Sequence, residues 1–550
     1  MVLAPIQVMA TEAPSNVPII EKVTTPSVTR TWSTLSLLYD DQFHDPAELD
    51  EEIEYIHSSV PELVDLEVIG ESYEGRNISC LRITNEQNTV QKAKTLVVAQ
   101  HHGREQITVE LALRFMLHLL NQYGDDAAIT EYVDTQEIFV IPTLNPDALE
   151  IVVNQGNHWL RKNLRPYDND ADGSFGEDDV EDTNGDGWIS NFLVYEKTYP
   201  TEVPHINDYD WEWYEGIDND GDGLVNEDEV GLVDLNRNYP TFWDLAEGDL
   251  LIPETQVYHG TSPFSEPETQ AFRDFALNHR FAMAYSLHSG INATYFPSDA
   301  YNDWPSASSQ LFYDMTFDYN EILPDGFNEH LGYLPSRSLD ALSGGWGEWM
   351  YYERGTTVPI TFEVYHNGSV DTEEAHEIIE NNNTHIVREW KGIYGYFAPA
   401  ESHITTLWDE LLPAFEYLLE LTPRLDITVS GVTGGVTTGA TVDMSVEMTC
   451  LSPRLGTHGG VHVLSADDTI LDTLISLEGD QTLTNQASIT LPSDLSSDMT
   501  ILIGNNYTGY TEFVLSAGSA AASLDPLIIG AVIGVSIAAV VLVVYFVKFR

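Results

Sequence analysis

Four short runs of apolar β-formers, at residues 96–99, 138–141, 282–287 and 358–362, constrain this chain more than any other feature. Runs of this length without polar alternation belong to strands buried on both faces, the kind found in parallel sheets covered by helices. The segments between them supply the helices. In residues 109–120, Leu111, Phe115, Leu119 and Leu120 recur at helical spacing and form one apolar face. The alternation predicts an α/β domain over residues 33–423, with a mixed, largely parallel central sheet flanked by helices. Residues 403–422, HITTLWDELLPAFEYLLELT, read as its closing helix.

The texture then changes. Residues 424–518 are rich in Val, Thr, Ser and Gly, with period-2 stretches such as VDMSVEMTC, which predicts a small all-β sandwich. A Ser/Ala linker at 519–526 leads to an uncharged apolar run at 527–547. At about 1.5 Å per residue such a run reaches about 31 Å, enough for a hydrocarbon core of about 30 Å. One C-terminal transmembrane helix is therefore expected. Lys548 and Arg550 would stay on the cytoplasmic side, leaving a single-pass protein whose preceding domains are extracellular. Residues 1–32 read as a Pro/Thr/Ser-rich leader or linker without an evident signal peptide. Against 23 Lys+Arg stand 88 Asp+Glu, a formal charge of −65, and such a surface repels nucleic acid. Cys80 and Cys450 are expected to be buried thiols, with no disulfide framework.

Residues 166–230 hold three acidic repeats, DNDADGSFGEDD, DTNGDGWISNFL and DNDGDGLVNEDE. Each places oxygen side chains at positions 1, 3 and 5 and glycine at position 6, the pattern by which a loop turns sharply around a hard cation. The candidate calcium ligands are Asp168, Asp170, Asp172 and Asp179 in the first, and Asp182, Asn184 and Asp186 in the second. Asp218, Asp220, Asp222 and Glu229 complete the third. Bound Ca2+ would order this long insert and take no part in chemistry.

The chemistry lies elsewhere. In HHGREQ, His102 and Glu105 stand at H-x-x-E spacing directly after the first apolar run and before a helix. Open α/β sheets place their ligands at such strand ends. His288 follows the run at 282–287 in the equivalent position and offers a third ligand. Two histidines and a glutamate with an open fourth position form a catalytic Zn2+ set. Glu363, at the end of the run at 358–362, is placed for a general base. In so acidic a chain the basic residues also stand out: RKNLR at 161–165, Arg104 inside the half-site, and Arg237 in DLNRNYP suit anion binding.

In these residues the chain resembles the zinc carboxypeptidase family of the A/B/T type. The matching pieces run from about residue 38 to 422: IGESYEGRNI, HHGREQIT, TLNPDA, WLRKNLR, VDLNRNYP, FSEPETQA, SLHSG and TFEV. The resemblance implies that His102, Glu105 and His288 bind one zinc ion and that Glu363 activates water. It implies that Arg161 stabilises the oxyanion, that Asn236 and Arg237 grip the terminal carboxylate of a peptide or protein substrate, and that Arg104 helps along the cleft. His101 has no counterpart in the motif and is expected to have no ligand role. The chain is similar to a membrane-anchored, prokaryotic-type member carrying a calcium-loop insert.

The sequence departs from that pattern in the segment SLDALSGGWGEWMY. It ends in Glu348-Trp349 where the family has Asp-Trp, and Asp340 aligns with the tyrosine that caps the substrate, leaving Tyr333 as a weak substitute. The position that tunes the side-chain pocket falls on Gly347, which favours a neutral or bulky apolar C-terminal residue over Lys or Arg. No pro-domain of the digestive kind fits before residue 33. Two alternatives stay open: hydrolysis of an unusual C-terminal amide, such as a peptidoglycan stem or glutamyl side-chain link, and a catalytically dead surface binding or adhesion protein.

Overall fold

The computed structural model describes residues 28–515 except position 41 and a set of short segments, of which 197–210, 328–342 and 431–440 are the longest. The described chain forms two compact units, one of Val28–Glu86 with Lys92–Thr422 and one that takes up the chain from Pro423 onward.

In the first unit the strands are β1 (Val64–Glu71), β2 (Asn77–Ile83), β3 (Ala93–Ala99), β4 (Gln136–Ile141), β5 (Asn191–Glu196), β6 (Trp211–Tyr214), β7 (Met283–His288), β8 (Ile291–Tyr295), β9 (Val358–Tyr365), β10 (Glu373–Glu380) and β11 (Asn383–Trp390). Seven of them build the central sheet in the order β1-β2-β4-β3-β7-β9-β8. The four apolar runs fall in the strands β3, β4, β7 and β9, with only Ala282 left outside, and these strands form a parallel block. The flanks are antiparallel, at β1–β2, β2–β4 and β8–β9, so the sheet is mixed rather than largely parallel. A physical reason is visible at β1–β2. A short turn through Gly75, at φ +85°, joins them, and a short turn allows only an antiparallel neighbour.

Helices cover both faces, as continuous apolar strands require. They are α1 (Pro46–Ser59), α2 (Ile107–Gln122), α3 (Ala127–Thr135), α4 (Pro146–Gln155), α5 (Pro267–Leu277), α6 (Ser306–Ile322), α7 (Trp346–Tyr352), the single turn α8 (Ile393–Tyr396) and α9 (Ile404–Leu421). On one face Leu96 and Val98 of β3 join Phe272 and Phe275 of α5 and Trp346 and Trp349 of α7 in one core. On the other, Phe115 of α2 and Phe415 of α9 meet at 5.2 Å, and Tyr285 of β7 donates its hydroxyl to the Ala414 carbonyl at 2.8 Å. The period-2 alternation of side chains along a strand sends neighbours to these two opposite layers.

The insert leaves and re-enters the domain through a narrow neck. Asn163 N–H donates to the Val233 carbonyl at 3.0 Å, and Leu232 N–H donates to the Asn163 carbonyl at 3.2 Å. From the insert, β5 pairs with β6 on one side and with β11 on the other, in a second sheet of order β10-β11-β5-β6. The N-terminal stretch also touches the domain: Val28 N–H donates to Tyr123 and Trp32 Nε1–H to the Leu120 carbonyl, both at 3.1 Å.

The second unit contains β12 (Leu425–Ser430), β13 (Thr441–Cys450), β14 (Thr457–Ser465), β15 (Asp468–Leu477), β16 (Thr482–Thr490), β17 (Met499–Asn505) and β18 (Gly509–Leu515). They form two antiparallel sheets, β12-β13-β16 and β15-β14-β17-β18. Cys80 and Cys450 are both buried free thiols. Among the described residues no helix is long and apolar enough to cross a membrane, and the run at 527–547 lies outside them.

Candidate active site

The site is built at the carboxyl ends of β3, β7 and β9. Directly after β3, Gln100 takes a left-handed conformation at φ +52°. Its side chain holds that turn, donating to the Gly103 carbonyl at 3.0 Å and accepting from Thr143 at 2.5 Å. The loop then threads against the segment around 160. Gly103 N–H donates to the Arg161 carbonyl and Arg104 N–H to the Leu160 carbonyl, at 3.1 and 2.8 Å. A Cβ on Gly103 would stand 2.7 Å from Ala148 Cβ, so only glycine permits this approach.

This turn carries His102 and Glu105 toward His288 at the end of β7. His102 Nδ1 lies 2.8 Å from Glu105 Oε1, His288 Nδ1 lies 2.9 Å from Glu105 Oε2, and the two Nδ1 atoms are 3.2 Å apart. All three side chains are buried, and their donor atoms fall within 4.8 Å of one another. A single proton is all that two facing ring nitrogens can share, so the set has more lone pairs than hydrogen bonds can use. Ligands about 2.0–2.2 Å from zinc stand roughly 3 Å from each other, so spacing and donor type fit that ion. Burial alone would raise the Glu105 carboxyl, but the charges of His102 and His288 overcome it and hold it below the ordinary carboxylate range. Burial depresses His288 against the pull of Glu105.

Asp234 is the residue that sequence reasoning passed over. It is fully buried two positions before Asn236, and its Oδ1 accepts from His102 Nε2 at 3.0 Å. Its Oδ2 accepts from Arg161 Nε and Nη2 at 3.0 and 2.9 Å. Burial would raise this carboxyl as well, but Arg161 and then His102 hold it well below its ordinary value. Its aspartate-asparagine-arginine spacing in DLNRN was visible, but nothing local says which histidine it meets. A metal-bound imidazole oriented by a carboxylate on its other nitrogen is a recurrent arrangement, and Asp234 supplies that carboxylate.

The remaining candidates gather around this cluster. Strand register sets Glu363 on the rung beside His288, one strand away. Arg161 Nη1 is 4.0 Å from Glu105 Oε1. Arg104 lies over the Phe397 ring at 4.2 Å and donates to the Trp159 carbonyl at 3.3 Å; burial and the nearby charge of Arg161 lower it to about 10. Asn236 turns inward, its Oδ1 accepting from Trp346 N–H at 2.9 Å and its Nδ2 facing His288 Nε2 at 3.3 Å. Arg237 follows it, and its carbonyl meets Gly344 so closely that a Cβ there would lie 1.8 Å from the oxygen. Among the described residues, a Cβ on Gly347 would meet only Thr361 Oγ1, at an ordinary contact distance of 3.7 Å. Tyr333 and Asp340 lie outside the described residues. His101 is fully buried behind the cluster and contributes no atom to it.

Of the candidate calcium ligands, Asp168, Asp179, Asp182, Asn184 and Asp218 are described, while Asp170, Asp172, Asp186, Asp220, Asp222 and Glu229 lie outside the described residues. Asp168 and Asp182 accept from Gly173 N–H at 3.1 Å and Gly185 N–H at 2.7 Å. Asp179 accepts from Asn157 Nδ2 at 3.2 Å, and burial raises its carboxyl. The buried Glu215, three residues before the third repeat, holds the second repeat, accepting from Thr183 N–H at 3.0 Å and Ser190 N–H at 3.1 Å.

Comparison with known proteins gives consistent results. A family model described as zinc carboxypeptidase matches residues 49–414. A zinc carboxypeptidase of Saccharothrix mutabilis subsp. capreolus is 32% identical over 127 residues, 22% of this chain and 29% of that protein. An inactive metallocarboxypeptidase of Saccharomyces cerevisiae is 31% identical over 117 residues, 21% of this chain and 27% of its own length. Carboxypeptidase A2 of Mus musculus is 24% identical over 371 residues, 66% of each. The chain thus spans less than two thirds of the length of these curated relatives. The crystal structure of thrombin activatable fibrinolysis inhibitor covers 70% of this chain and 76% of its own, at 20% identity and a TM-score of 0.46.

Proposed function

We propose, from the premise that this chain belongs to the zinc carboxypeptidase family, that it is a zinc metallocarboxypeptidase releasing C-terminal residues from peptides. The observation that carries the reading is the meeting of His102 Nδ1, Glu105 and His288 Nδ1 within 4.8 Å, with Glu363 opposite His288 on the adjoining strand. These three side chains would hold the ion. When bound, zinc supplies Lewis acidity, polarising the scissile carbonyl and making water acidic enough to lose a proton near neutral pH. Glu363 takes that proton and passes it to the leaving amine. Arg161 faces the oxyanion that develops on the carbonyl, held in place by its two bonds to Asp234. Arg237, with Asn236 beside it and Arg104 along the cleft, receives the terminal carboxylate. Gly347, which brings no acid to the pocket position, suits a neutral or bulky apolar side chain in the substrate.

The rest of the chain serves this domain. Residues 33–423 are the catalytic domain, 166–230 its calcium-loop insert, and 424–518 a β-sandwich spacer. Residues 519–526 link that spacer to a membrane span at 527–547, with 548–550 in the cytoplasm and the catalytic domain outside the cell. Support for calcium comes from the repeat pattern, oxygen side chains at positions 1, 3 and 5 with glycine at position 6. The test is direct. The full chain in salt and calcium is given a mixed peptide pool, and products are followed by mass spectrometry. Stepwise loss of single C-terminal residues that stops on zinc chelation is the expected result. Internal cuts, or full activity after chelation, would sink the assignment. Melting of the same protein with calcium and with EGTA checks the insert, and identical curves remove the calcium claim.

A further inference from the structure

We infer that His101, through Ser286, supports the tautomer of His288 whose Nδ1 lone pair faces the metal, making His101 a positioning residue. The inference rests on the zinc reading above. The geometry is a chain of buried polar atoms behind the cluster. His288 Nε2 is 3.0 Å from Ser286 Oγ, Ser286 Oγ is 3.1 Å from His101 Nδ1, and His101 Nε2 is 3.1 Å from the Tyr239 hydroxyl. His101, Ser286 and Tyr239 are fully buried and His288 is 1% exposed, so bulk water does not substitute for a missing partner. The His101 and His288 rings stack at 5.3 Å and 22°, which fixes the distance between the two imidazoles.

The direction of the hydrogen bonds decides what His288 presents to the metal. Asn236 Oδ1 is committed to the Trp346 N–H, which turns its amide NH2 toward His288 Nε2. An NH2 only donates. Without a metal that NH2 donates toward Nε2, which suits a proton on Nδ1; once Nδ1 is given to the metal, Ser286 Oγ is, among the described partners, the acceptor for the proton on Nε2. In one sense of the chain, His288 Nε2–H donates to Ser286, Ser286 O–H donates to His101 Nδ1, and His101 Nε2–H donates to Tyr239. His288 Nδ1 is then an unprotonated ligand. In the opposite sense Tyr239 donates to His101 Nε2, His101 Nδ1–H to Ser286, and Ser286 to His288 Nε2. His288 Nδ1 then carries the proton, bonded to Glu105, and is blocked. Both senses hold the same number of protons, and the ion selects the first. His101 is what makes the first sense complete, because its Nδ1 accepts from Ser286 while its Nε2–H still has a partner. Both its nitrogens are thereby used, which explains why the first of two adjacent histidines stays out of the ligand set.

The test uses the full chain, stripped of metal, with zinc affinity measured by competition against a chromophoric chelator and the visible spectrum of the Co2+ form as a second readout. His101→Phe keeps a stacked ring and Ser286→Ala removes one oxygen; each is expected to weaken zinc binding about 10–100-fold and to change the Co2+ spectrum. His101→Gln, whose amide both accepts and donates, is expected to recover affinity to within a few-fold of wild type. Melting curves of the apo proteins identify folded variants, and Ser286→Ala carries the decision if His101→Phe does not fold. Wild-type affinity in His101→Phe or Ser286→Ala overturns the proposal, as does a His101→Gln variant no better than His101→Phe. A wild-type chain that takes up no zinc defeats the underlying reading instead, a distinguishable result.

Discussion

Two buried histidine–carboxylate clusters flank the start of α2, and they use the same residue types for opposite ends. Glu105 precedes the helix and meets two histidines. Glu110, in its first turn, meets one, His44, whose Nδ1 lies 3.0 Å from both Glu110 oxygens and whose Nε2 is 3.6 Å from Glu52. Where one histidine faces two carboxylates, the imidazole itself becomes the cation. Burial alone would depress His44, but Glu110 and then Glu52 overcome it and push it up to about 9. Where histidines crowd one another, burial and their mutual repulsion keep His288 and His101 below their ordinary values, and the positive charge must come from outside. The ratio of imidazole to carboxylate decides whether a buried cluster staples the fold or receives a metal.

The contrast breaks most visibly through paired substitutions. Glu363→Gln is expected to lower kcat by about 10²–10⁴-fold with an unchanged melting curve, which steady-state kinetics beside calorimetry will read. A stability loss that accounts for the missing activity would merge the two clusters' roles. His44→Leu should do the reverse. It leaves Glu52 and Glu110 buried without a cation, a cost of about 3–5 kcal/mol in denaturant unfolding, while the folded fraction keeps its zinc affinity. The pH dependence sharpens the same point. Because the folded value of His44 is raised, its contribution is complete below about pH 6.5 and is lost as pH rises through about 9, on the order of 3 kcal/mol. Wild type should lose stability across that window and His44→Leu should not; parallel slopes would remove His44 as the titrating group. The smallest effect belongs to an exposed pair of the same charge type. Arg30 Nη1 and Asp125 Oδ2 stand 2.6 Å apart with Asp125 largely exposed, so Asp125→Asn should cost under about 1 kcal/mol.

Periodicity made the centre of the fold readable. The runs at 96–99, 138–141, 282–287 and 358–362 each mark a strand of the parallel block, to within one residue, because burial on both faces leaves an unbroken apolar signature. The flanks were less legible. β1 reads VDLEVIGE with seven of its eight residues partly or fully exposed, so it carries no apolar run, and only the short turn at Gly75 marks its antiparallel pairing with β2. The second sheet joins β5 and β6 of the insert to β10 and β11, which are far away in sequence. Within the site, His102, Glu105, His288 and Glu363 were visible because each stands at a strand end. Asp234 and Ser286 were not. A buried aspartate or serine carries no sign of its partner until the chain has closed, and the same holds for His101, whose meaning lies in Ser286 and Tyr239.

The neck at Asn163 and Val233 has a consequence for how such a chain can change. Arg161 and Asp234 are joined by two hydrogen bonds although the whole acidic insert lies between them in sequence. The backbone bonds just outside that pair close the loop before the insert begins. Lengthening a loop whose ends are already tied adds only a logarithmic entropy term, roughly 0.6 kcal/mol for each doubling. The neck is thus a port: apart from β5 and β6, which are held in the second sheet, what hangs from it can be lengthened or decorated at small thermodynamic expense, and the arginine and aspartate behind it stay in register. A family can acquire new surface modules at such a point without renegotiating its chemistry.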